Sequence, residues 1–385
     1  MLIPRGDAVA LTRALVAIDS RNPTLVPGAP GERECAHFLA AVLEDWGFAV
    51  ELLEQVPGRP NLLARAGPPE SPATPPLMLA GHLDVVGVDG MTHPPFAADV
   101  RDGRIFGRGA ADMKSGLAAM CAAAAGAVSA NSGRSVLIAA VVDEEYESLG
   151  MRALLAGGVR AEAALLTEPT RLAICPAHRG FVWMDVTVRG RAAHGSRYDL
   201  GVDAITHAGL LLAELDDLER RRASGRTHPL LGRASLHAST ISGGAGMSTY
   251  PERCNLALER RTLPGETKED ALTEIQEAIA RVRARDPRFD ASVNLNTAQS
   301  PSDVSTTAPV VERLASALRA EGMSRKVEGL SAWTDAALLN EAGIPAICFG
   351  PGDIALAHSS EEWVAIDEIE TATRVLTRFV ADWCS

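Results

Sequence analysis

Four short apolar runs in this sequence each lead into residues that can bind a metal ion. The runs cover residues 77–80, 136–142, 163–166 and 346–349, and the polar residues after them are His82 with Asp84, Asp143-Glu144-Glu145, Glu168 and His358. Runs without polar alternation are typical of strands buried on both faces, as in parallel sheets. Because ligands of open α/β sheets bind outside the carboxyl ends of the strands, we expect these side chains to meet at one edge.

A mixed set of histidines and carboxylates without cysteine favours zinc, with cobalt or manganese as alternatives. Any one of these residues alone would be an ordinary surface or core residue. Their arrival at one sheet edge from four separate strands is what predicts a metal centre.

The longest motif is Gly-Arg-Gly-Ala-Ala-Asp-Met-Lys-Ser-Gly at residues 107–116. Together with residues 81–86, Asp143-Glu144-Glu145, Thr167-Glu168-Pro169 and His358, it resembles the acetylornithine deacetylase, succinyl-diaminopimelate desuccinylase and carboxypeptidase G superfamily. Members of this superfamily are dinuclear zinc amidohydrolases and peptidases. The resemblance also covers the N-terminal helices and residues 190–196 and 263–266, so it spans essentially the whole chain.

The resemblance implies a role for each matching residue. Asp112 would bridge two metal ions, and the remaining protein ligands would be His82 and Glu168 for one ion, and Glu145 and His358 for the other. Glu144 would be the general base. Asp84 would accept the imidazole N–H of His82 and fix its tautomer. The peptide bond after the bridging aspartate is typically cis in this family.

The chemistry of amide hydrolysis explains why these residue types are needed. An amide is a poor electrophile, and water is a poor nucleophile at neutral pH. Bound zinc lowers the pKa of water from about 16 to about 7, and a second ion can polarise the carbonyl. A base at Glu144 that moves the proton of water to the leaving nitrogen contributes roughly 10²–10⁴-fold in rate.

Three further residues are candidates through the same resemblance. His194 matches a histidine that stabilises the oxyanion, commonly in the active site of the partner subunit, which implies a homodimer formed through this part of the chain. Arg261 matches a recurrent arginine that could pair with a substrate carboxylate, although a structural salt bridge is the alternative. Ser248 stands where relatives often carry asparagine. Ala337 stands where the desuccinylases usually carry arginine, which disfavours a succinyl substrate.

The elements that must position these residues alternate between helix and strand in the first third of the chain. Leu11, Leu15 and Ile18 predict a helix over residues 7–18 with one apolar face. A second helix is predicted over residues 32–46. The alanine-rich residues 117–128 predict a crossover helix that packs closely on the sheet.

Between residues 179 and 297 the pattern changes to half-exposed strands. Alternating strands are predicted at 181–188, 235–241, 254–260 and 290–295, with helices at 203–218 and 268–282. This is the βαββαβ order of a small α+β sandwich. We therefore predict an α/β fold, with a largely parallel-sheet catalytic domain (residues 1–178 and 298–385) and an inserted lid and dimerisation domain (residues 179–297).

Composition excludes several classes of protein. Of 385 residues, 46% are hydrophobic and 22% are charged, which is typical of a folded protein rather than a disordered one. The net charge of −12 repels phosphate backbones and anionic lipids, so we expect no nucleic acid or membrane partner. Six widely spaced cysteines and an N-terminus without a signal-peptide pattern predict a cytoplasmic protein.

The sequence thus predicts a metal-dependent hydrolase that cleaves the amide bond of an N-acyl amino acid, as an acetylornithine deacetylase does. Its cofactors would be two divalent ions, zinc above all. A carboxypeptidase or dipeptidase that acts on short peptides is the alternative with the same mechanism. An inactive homologue that binds metal and ligand is the alternative from another class, and the presence of Glu144 argues against it.

Overall fold

The computed structural model describes residues 3–69, 74–128 and 132–385, and the chain divides into two compact units. The larger unit comprises the residues up to Pro176 together with Val304–Leu330 and Thr334–Ser385. The smaller unit comprises Ala177–Asp303 and Ser331–Trp333. The compact units divide after Pro176 and after Asp303, whereas the sequence predicted divisions after residues 178 and 297, and the assignment of domain roles stays a prediction. Met1 and Leu2, part of the N-terminus predicted to lack a signal peptide, lie outside the described residues.

The helices and strands are numbered in chain order. The helices are α1 Ala8–Val16, α2 Arg33–Asp45, α3 Ser115–Ala127, α4 Leu149–Ala156, α5 Ala204–Ala223, α6 Lys268–Arg285, α7 Pro309–Ala320, α8 Ala336–Glu341 and α9 Ile366–Trp383. The strands are β1 Ala49–Val56, β2 Arg59–Ala66, β3 Leu77–His82, β4 Asp99–Arg101, β5 Arg104–Phe106, β6 Val136–Val141, β7 Ala163–Leu166, β8 Ile174–His178, β9 Gly180–Arg189, β10 Thr227–His228, β11 Gly232–Arg233, β12 Ser235–Gly243, β13 Arg253–Thr262, β14 Asp290–Gln299, β15 Ser302–Asp303, β16 Val327–Leu330, β17 Ala346–Cys348 and β18 Trp363–Ala365.

The main sheet of the larger unit has the four predicted apolar strands at its centre. Its order is β1-β2-β6-β3-β7-β17-β8, and β6, β3, β7 and β17 run parallel to one another. Every residue of these four strands is buried, as the lack of polar alternation predicts. The flanking strands β1, β2 and β8 are antiparallel to their neighbours. The predicted α/β fold class is therefore confirmed, with a sheet that is parallel only at its centre.

The alanine-rich helix α3 is buried on all sides over Ser115–Ala125. It packs against α1 and α9, and its small side chains allow the close approach that this layer requires. Helix α1 begins at Asp7, whose side chain accepts a hydrogen bond from the Ala10 amide. The sequence places α1, α2 and α3 within two residues of their observed ends.

The smaller unit contains the predicted βαββαβ arrangement. Its sheet has the order β12-β13-β9-β14, in which all neighbours are antiparallel, and α5 and α6 pack on it. Alternate residues of β9 point into the core of this unit, as the sequence pattern predicts. Helix α6 begins with a capping box in which Thr267 and Asp270 bond to each other's backbone amides.

The short segment Ser331–Trp333 belongs to the smaller unit, which the sequence did not predict. The Trp333 indole N–H donates to the Ser300 carbonyl at 3.0 Å, and its ring lies edge-on to His178 and Phe181. These contacts join residues that are at least 33 positions apart in the sequence, so no local pattern could have indicated them.

All six cysteines are buried and unpaired, as their spacing predicts. None of the helices in the described ranges combines the length and the apolar character that crossing a bilayer requires.

His178 predicts a pH dependence of stability. Burial lowers its pKa from 6.5 to about 4, and its Nδ1 lies 3.0 Å from the Arg179 carbonyl. Between these two pH values the unfolded chain binds a proton that the folded protein excludes. The contribution of neutral His178 is therefore complete above pH 6.5 and decreases, by about 3 kcal/mol in total, as the pH falls toward 4.

Denaturant unfolding of wild type and His178→Asn between pH 7.5 and 4.5 measures this effect. We expect the free energy of unfolding of the wild type to fall more steeply than that of the variant. His37→Asn, at an exposed histidine, is the control and should follow the wild type. Parallel profiles for wild type and His178→Asn would contradict the prediction.

Candidate metal centre

The strand ends of the larger unit bring the predicted metal-binding residues together. His82 is the last residue of β3, Glu168 lies two residues beyond β7, and Glu145 follows β6. His358 lies in the loop after β17, and Asp112 lies at a non-helical kink within Ala110–Lys114, the segment that leads into α3. The sheet-edge prediction thus located four of these residues, whereas Asp112 was found through its motif.

The five side chains form two groups that share Asp112. The first group is His82, Asp112 and Glu168, and the second is Asp112, Glu145 and His358. Within each group the possible ligand atoms all lie within 4.8 Å of one another. Asp112 Oδ1 lies 3.1 Å from His82 Nε2, whereas its Oδ2 lies 3.6 Å from His358 Nε2. One oxygen of Asp112 therefore faces each group.

The backbone around Asp112 is held by a buried glutamate that the sequence analysis missed. Glu362 Oε1 accepts hydrogen bonds from the amides of Ala111 and Asp112 at 3.0 and 3.1 Å. Its Oε2 lies 2.6 Å from Nη1 of Arg108, within the 107–116 motif. Because Glu362 precedes a short strand rather than following an apolar run, no sequence signal marked it. The Asp112–Met113 peptide is cis, as the family resemblance predicts.

The orientation of His82 differs in one detail from the prediction. Its Nδ1 lies 2.9 Å from the backbone carbonyl oxygen of Asp84, whereas the Asp84 carboxylate is 3.7 Å away. Nδ1–H therefore donates to the main chain, which leaves Nε2 directed at Asp112. Asp84 does accept the imidazole N–H, but through its carbonyl oxygen, because the chain turns just after β3.

The Asp84 carboxylate instead holds the loop that carries the two glutamates. Its oxygens accept the backbone amides of Glu144 and Glu145, each at 3.2 Å. The Asn22 side-chain amide donates to Asp84 at 2.9 Å and to Asp143 at 3.0 Å. This buried network fixes the backbone of the Glu144-Glu145 pair.

The buried carboxylates of the site favour the binding of cations. Burial and, after it, the nearby charge of Asp112 raise the pKa of Glu168 to about 8. Burial likewise raises the pKa of Glu144 and Glu145. Burial alone would lower the pKa of His82, but its hydrogen bond with Asp112 and the charge of Glu144 raise it well above 6.5. Buried carboxylates that face one another require positive charge to ionise together.

The donor set fits two divalent ions. Each group supplies one imidazole and carboxylates, a combination that suits zinc and related metals. Glu145 Oε1 is buried and has no hydrogen-bond partner among the described residues, although its Oε2 lies 2.9 Å from His358 Nε2. A bound ion would satisfy that oxygen. His358 is the most exposed member, with 52% of its side chain accessible, so the second group is open to solvent.

Glu144 lies beside both groups but is a member of neither. Its Oε2 is 4.0 Å from His82 Nε2, and 11% of its side chain is exposed. A carboxylate that borders a metal site without completing it is suited to accept a proton from water.

Asp335 is a further buried acid near the site, and the sequence analysis did not identify it. It is 2% exposed, and burial raises its pKa to about 7. Its charge contributes to the raised pKa values of Glu144 and Glu168. Asp335 precedes a short helix rather than following an apolar run, so its approach to the site was not readable from the sequence.

The three remaining candidates lie in the smaller unit. His194 is exposed, and its Nδ1 lies 2.8 Å from the Ser196 hydroxyl. The exposed Ser248 accepts the Gly195 amide at 2.7 Å through its carbonyl oxygen. Arg261 pairs with Glu259 at 2.7 Å, and its guanidinium lies over the Phe181 ring. Arg261 thus makes a structural salt bridge. The catalytic role of His194 and the substrate-binding roles of Ser248 and Arg261 stay predictions.

Gly116 predicts a large effect on stability close to the site. A Cβ atom at this position would overlap the carbonyl oxygen of Thr167, the residue before Glu168. Helix α3 can therefore pack where β7 ends only because residue 116 has no side chain. We expect Gly116→Ala to lower the free energy of unfolding by about 1–3 kcal/mol or more.

Gly126→Ala, in the last turn of the same helix, is the matched control. Its Cβ would lie 3.7 Å from the Thr377 side chain, an ordinary contact. It should therefore stabilise the protein by about 0.5–1 kcal/mol, as alanine does in a helix. Equal effects of the two substitutions in urea unfolding would refute the packing argument.

Comparison with known proteins gives consistent results. The profile of peptidase family M20/M25/M40 matches residues 78–382. Over 383 residues the chain is 31% identical to a Myxococcus xanthus protein named acetylornithine deacetylase, with 96% of each chain covered. It is 27% identical over 412 residues to an N-formyl-4-amino-5-aminomethyl-2-methylpyrimidine deformylase of Halalkalibacterium halodurans, with 99% of this chain and 95% of that protein covered. The crystal structure of aminopeptidase PepT from Bacillus cereus aligns with a TM-score of 0.79 over all of both chains, at 20% identity.

Proposed function

Because the chain belongs to peptidase family M20/M25/M40, we propose that it is a two-metal hydrolase that removes a short acyl group from the nitrogen of an amino acid or a related amine. The observation that carries this proposal is the pair of ligand groups sharing Asp112, with Glu144 beside them. An inactive binding protein would have no use for a buried carboxylate in that position.

Two divalent ions held by the Asp112 groups would polarise the amide carbonyl and acidify the attacking water. Glu144 would accept the proton of that water at a carboxylate oxygen. The same oxygen would then donate this proton to the leaving nitrogen when the C–N bond breaks, so that Glu144 ends the cycle ionised. The Asp84 carboxylate accepts the backbone amides of Glu144 and Glu145, which holds the loop that carries both side chains.

The choice of a short acyl group follows from the relatives and from one sequence difference. The two relatives described above are named for removing acetyl and formyl groups. Ala337 stands where the desuccinylases usually carry arginine, so this chain lacks one cation that a second substrate carboxylate would need. The aminopeptidase neighbour supports the fold alone at its level of identity.

The experiment is an amine-release assay with N-formyl, N-acetyl, N-succinyl and long-chain N-acyl amino acids and with dipeptides. The protein is treated with a chelator and assayed with and without added Zn²⁺ or Co²⁺. Metal-restored hydrolysis of the short acyl compounds would support the proposal. Preference for dipeptides would favour the peptidase alternative, and ligand binding without turnover would favour the inactive homologue.

We propose zinc as the metal because the donors are nitrogen and carboxylate oxygen.

We further propose that the protein is a homodimer formed through the smaller unit. Strand β12 is an edge strand of its sheet, and Ile241 on it is 56% exposed. Ile205 on α5 is also exposed at 44%. Pairing of two β12 strands would cover both features. Ile241→Asp should shift the protein to the monomer in sedimentation velocity, whereas an unchanged sedimentation coefficient would contradict this interface.

We place the enzyme in the cytoplasm. Six buried, unpaired cysteines are the supporting observation, because secreted proteins commonly oxidise theirs to disulfides.

A further inference from the structure

The smaller unit contains a cavity that the proposed reaction does not use. It has a volume of about 260 Å³ and lies at the C-terminal end of α5. The residues that line it are Leu218, Arg221, Arg222, Gly225, Arg226, Ala234 and Glu266. Sites for drug-sized molecules measure about 300–1,000 Å³, so an occupant of this cavity must be small.

Positive charge dominates the lining, with three arginines and one glutamate. The glutamate is already committed, because Glu266 lies 2.8 Å from Nη2 of the buried Arg260. Arg222 shares the carboxylates of Glu274 and Glu266 with that same Arg260. Two arginines and two glutamates therefore balance one another behind the cavity. Arg221 pairs with Glu214 at 3.6 Å, so the charge that is left over is that of Arg226.

Arg226 carries most of this excess charge. Its Nη2 donates to the carbonyl of Pro264 at 2.6 Å, but within the described ranges no carboxylate lies within 4.0 Å of its guanidinium. Gly265 has φ +84°, and a Cβ on it would lie 3.3 Å from both Nη atoms of Arg226. The guanidinium of the exposed Arg226 is therefore close to the backbone at Gly265, and the bond to Pro264 is its one hydrogen bond to the described residues.

Arg222 has an unused donor in the same cavity. Its side chain is 13% exposed, and its Nε is buried without a hydrogen-bond partner among the residues described. Burial and the neighbouring charge of Arg260 lower the pKa of Arg222 to about 10. A buried cationic donor without an acceptor is costly, and an anion would supply the acceptor.

The helix dipole of α5 does not by itself explain why arginine side chains line this cavity. Positive side chains at the C-terminal end do offset the helix dipole, but they can do so while extended into solvent. The last carbonyls are already satisfied, since Arg222 O accepts the Gly225 amide at 2.9 Å and Arg221 O accepts the Ser224 hydroxyl at 3.0 Å. The end of α5 therefore does not need these arginine side chains to satisfy its carbonyls.

We propose that this cavity, here called the α5 pocket, binds a small oxyanion, a carboxylate or a phosphate, between Arg226 and Arg222. The planar fork of arginine matches the paired oxygens of either group. Leu218 and Ala234 provide an apolar wall for a short carbon chain, which favours a carboxylate. The site lies within the smaller unit and does not depend on the proposed hydrolase activity.

Isothermal titration calorimetry of the metal-loaded full-length protein tests the proposal with sodium acetate, succinate and phosphate at constant ionic strength. We expect saturable binding that Arg226→Gln weakens by about tenfold or more, since hydrogen bonds to charged groups contribute at least that much. Arg226→Lys keeps the charge without the planar fork and should bind at an intermediate level.

Arg220→Gln is the matched control. Arg220 lies in the same turn of α5 but is 70% exposed, pairs with Asp216 and does not line the cavity. This variant should bind like the wild type. Tighter binding of acetate or succinate than of phosphate would identify the ligand as a carboxylate, and the reverse as a phosphate. Absence of saturable binding would overturn the proposal. Binding that Arg226→Gln leaves unchanged would also overturn it, because the ligand would then be bound elsewhere, for example at the metal centre.

Discussion

Glu144→Gln should abolish most of the hydrolysis while both metal ions stay bound. Glutamine has nearly the same shape as glutamate but cannot accept the proton of the attacking water. Because general-base catalysis contributes about 10²–10⁴-fold, we expect kcat to fall by that factor with little change in KM. The measurement is steady-state kinetics on the best substrate of the acyl panel, with metal content determined on the same samples.

Glu147→Gln is the matched control for this prediction. Glu147 lies three residues further along the same loop, is exposed, and contributes its backbone amide to Asp143. Its substitution should leave kcat unchanged. If Glu144→Gln retained wild-type kcat, or if it lost the metal ions together with the activity, Glu144 would not be the general base.

Asp112→Ala should remove metal from both groups at once. Asp112 Oδ1 faces His82 and Oδ2 faces His358, so it is the one residue that both groups contain. Loss of a residue that merely orients a ligand costs about 10–100-fold in metal affinity, so loss of a shared ligand should cost more. We expect the metal content after dialysis to fall from about two ions per chain to less than one, with loss of hydrolysis.

A comparison with Glu168→Ala distinguishes a shared ligand from an ordinary one. Glu168 belongs to the first group only, so its removal should weaken one ion and leave the other. Glu361→Ala, at an exposed acid, controls for the loss of negative charge. Mass spectrometry of metal content would contradict the bridging role if Asp112→Ala and Glu168→Ala lost the same single ion.

The proposed hydrolysis and the proposed anion binding can fail independently of each other. A protein that binds two ions but hydrolyses nothing would remove the proposed function, and it would not affect anion binding at the α5 pocket. Conversely, Arg226 lies in the smaller unit and has no part in the metal groups. Its substitution therefore tests the pocket without disturbing the ligands.

Local patterns in the sequence were sufficient to predict the order of the elements and the residue types of the candidate site. Buried parallel strands need continuous apolar runs, so the runs at 77–80, 136–142, 163–166 and 346–349 were readable locally. The polar residues at their ends were then expected to meet, because parallel strands end at a common edge. The alternation in β9 and the capping residues of α5 and α6 are local signals of the same kind.

The hydrogen-bond partners of the site residues depend on the tertiary structure and could not be predicted from the sequence. His82 bonds to the carbonyl of Asp84 rather than to its carboxylate because the chain turns after β3. Glu362 contacts Asp112, and Arg226 contacts Pro264. Asp335 interacts with the charges of His82 and Asp84. In each case the interacting residues are more than 30 positions apart in the sequence. Such contacts depend on how layers pack and on which charges burial brings together. Periodicity and spacing reflect only residues that are near one another along the chain. They could therefore indicate which residues lie at the edge of the sheet, but not which distant side chains pack around them.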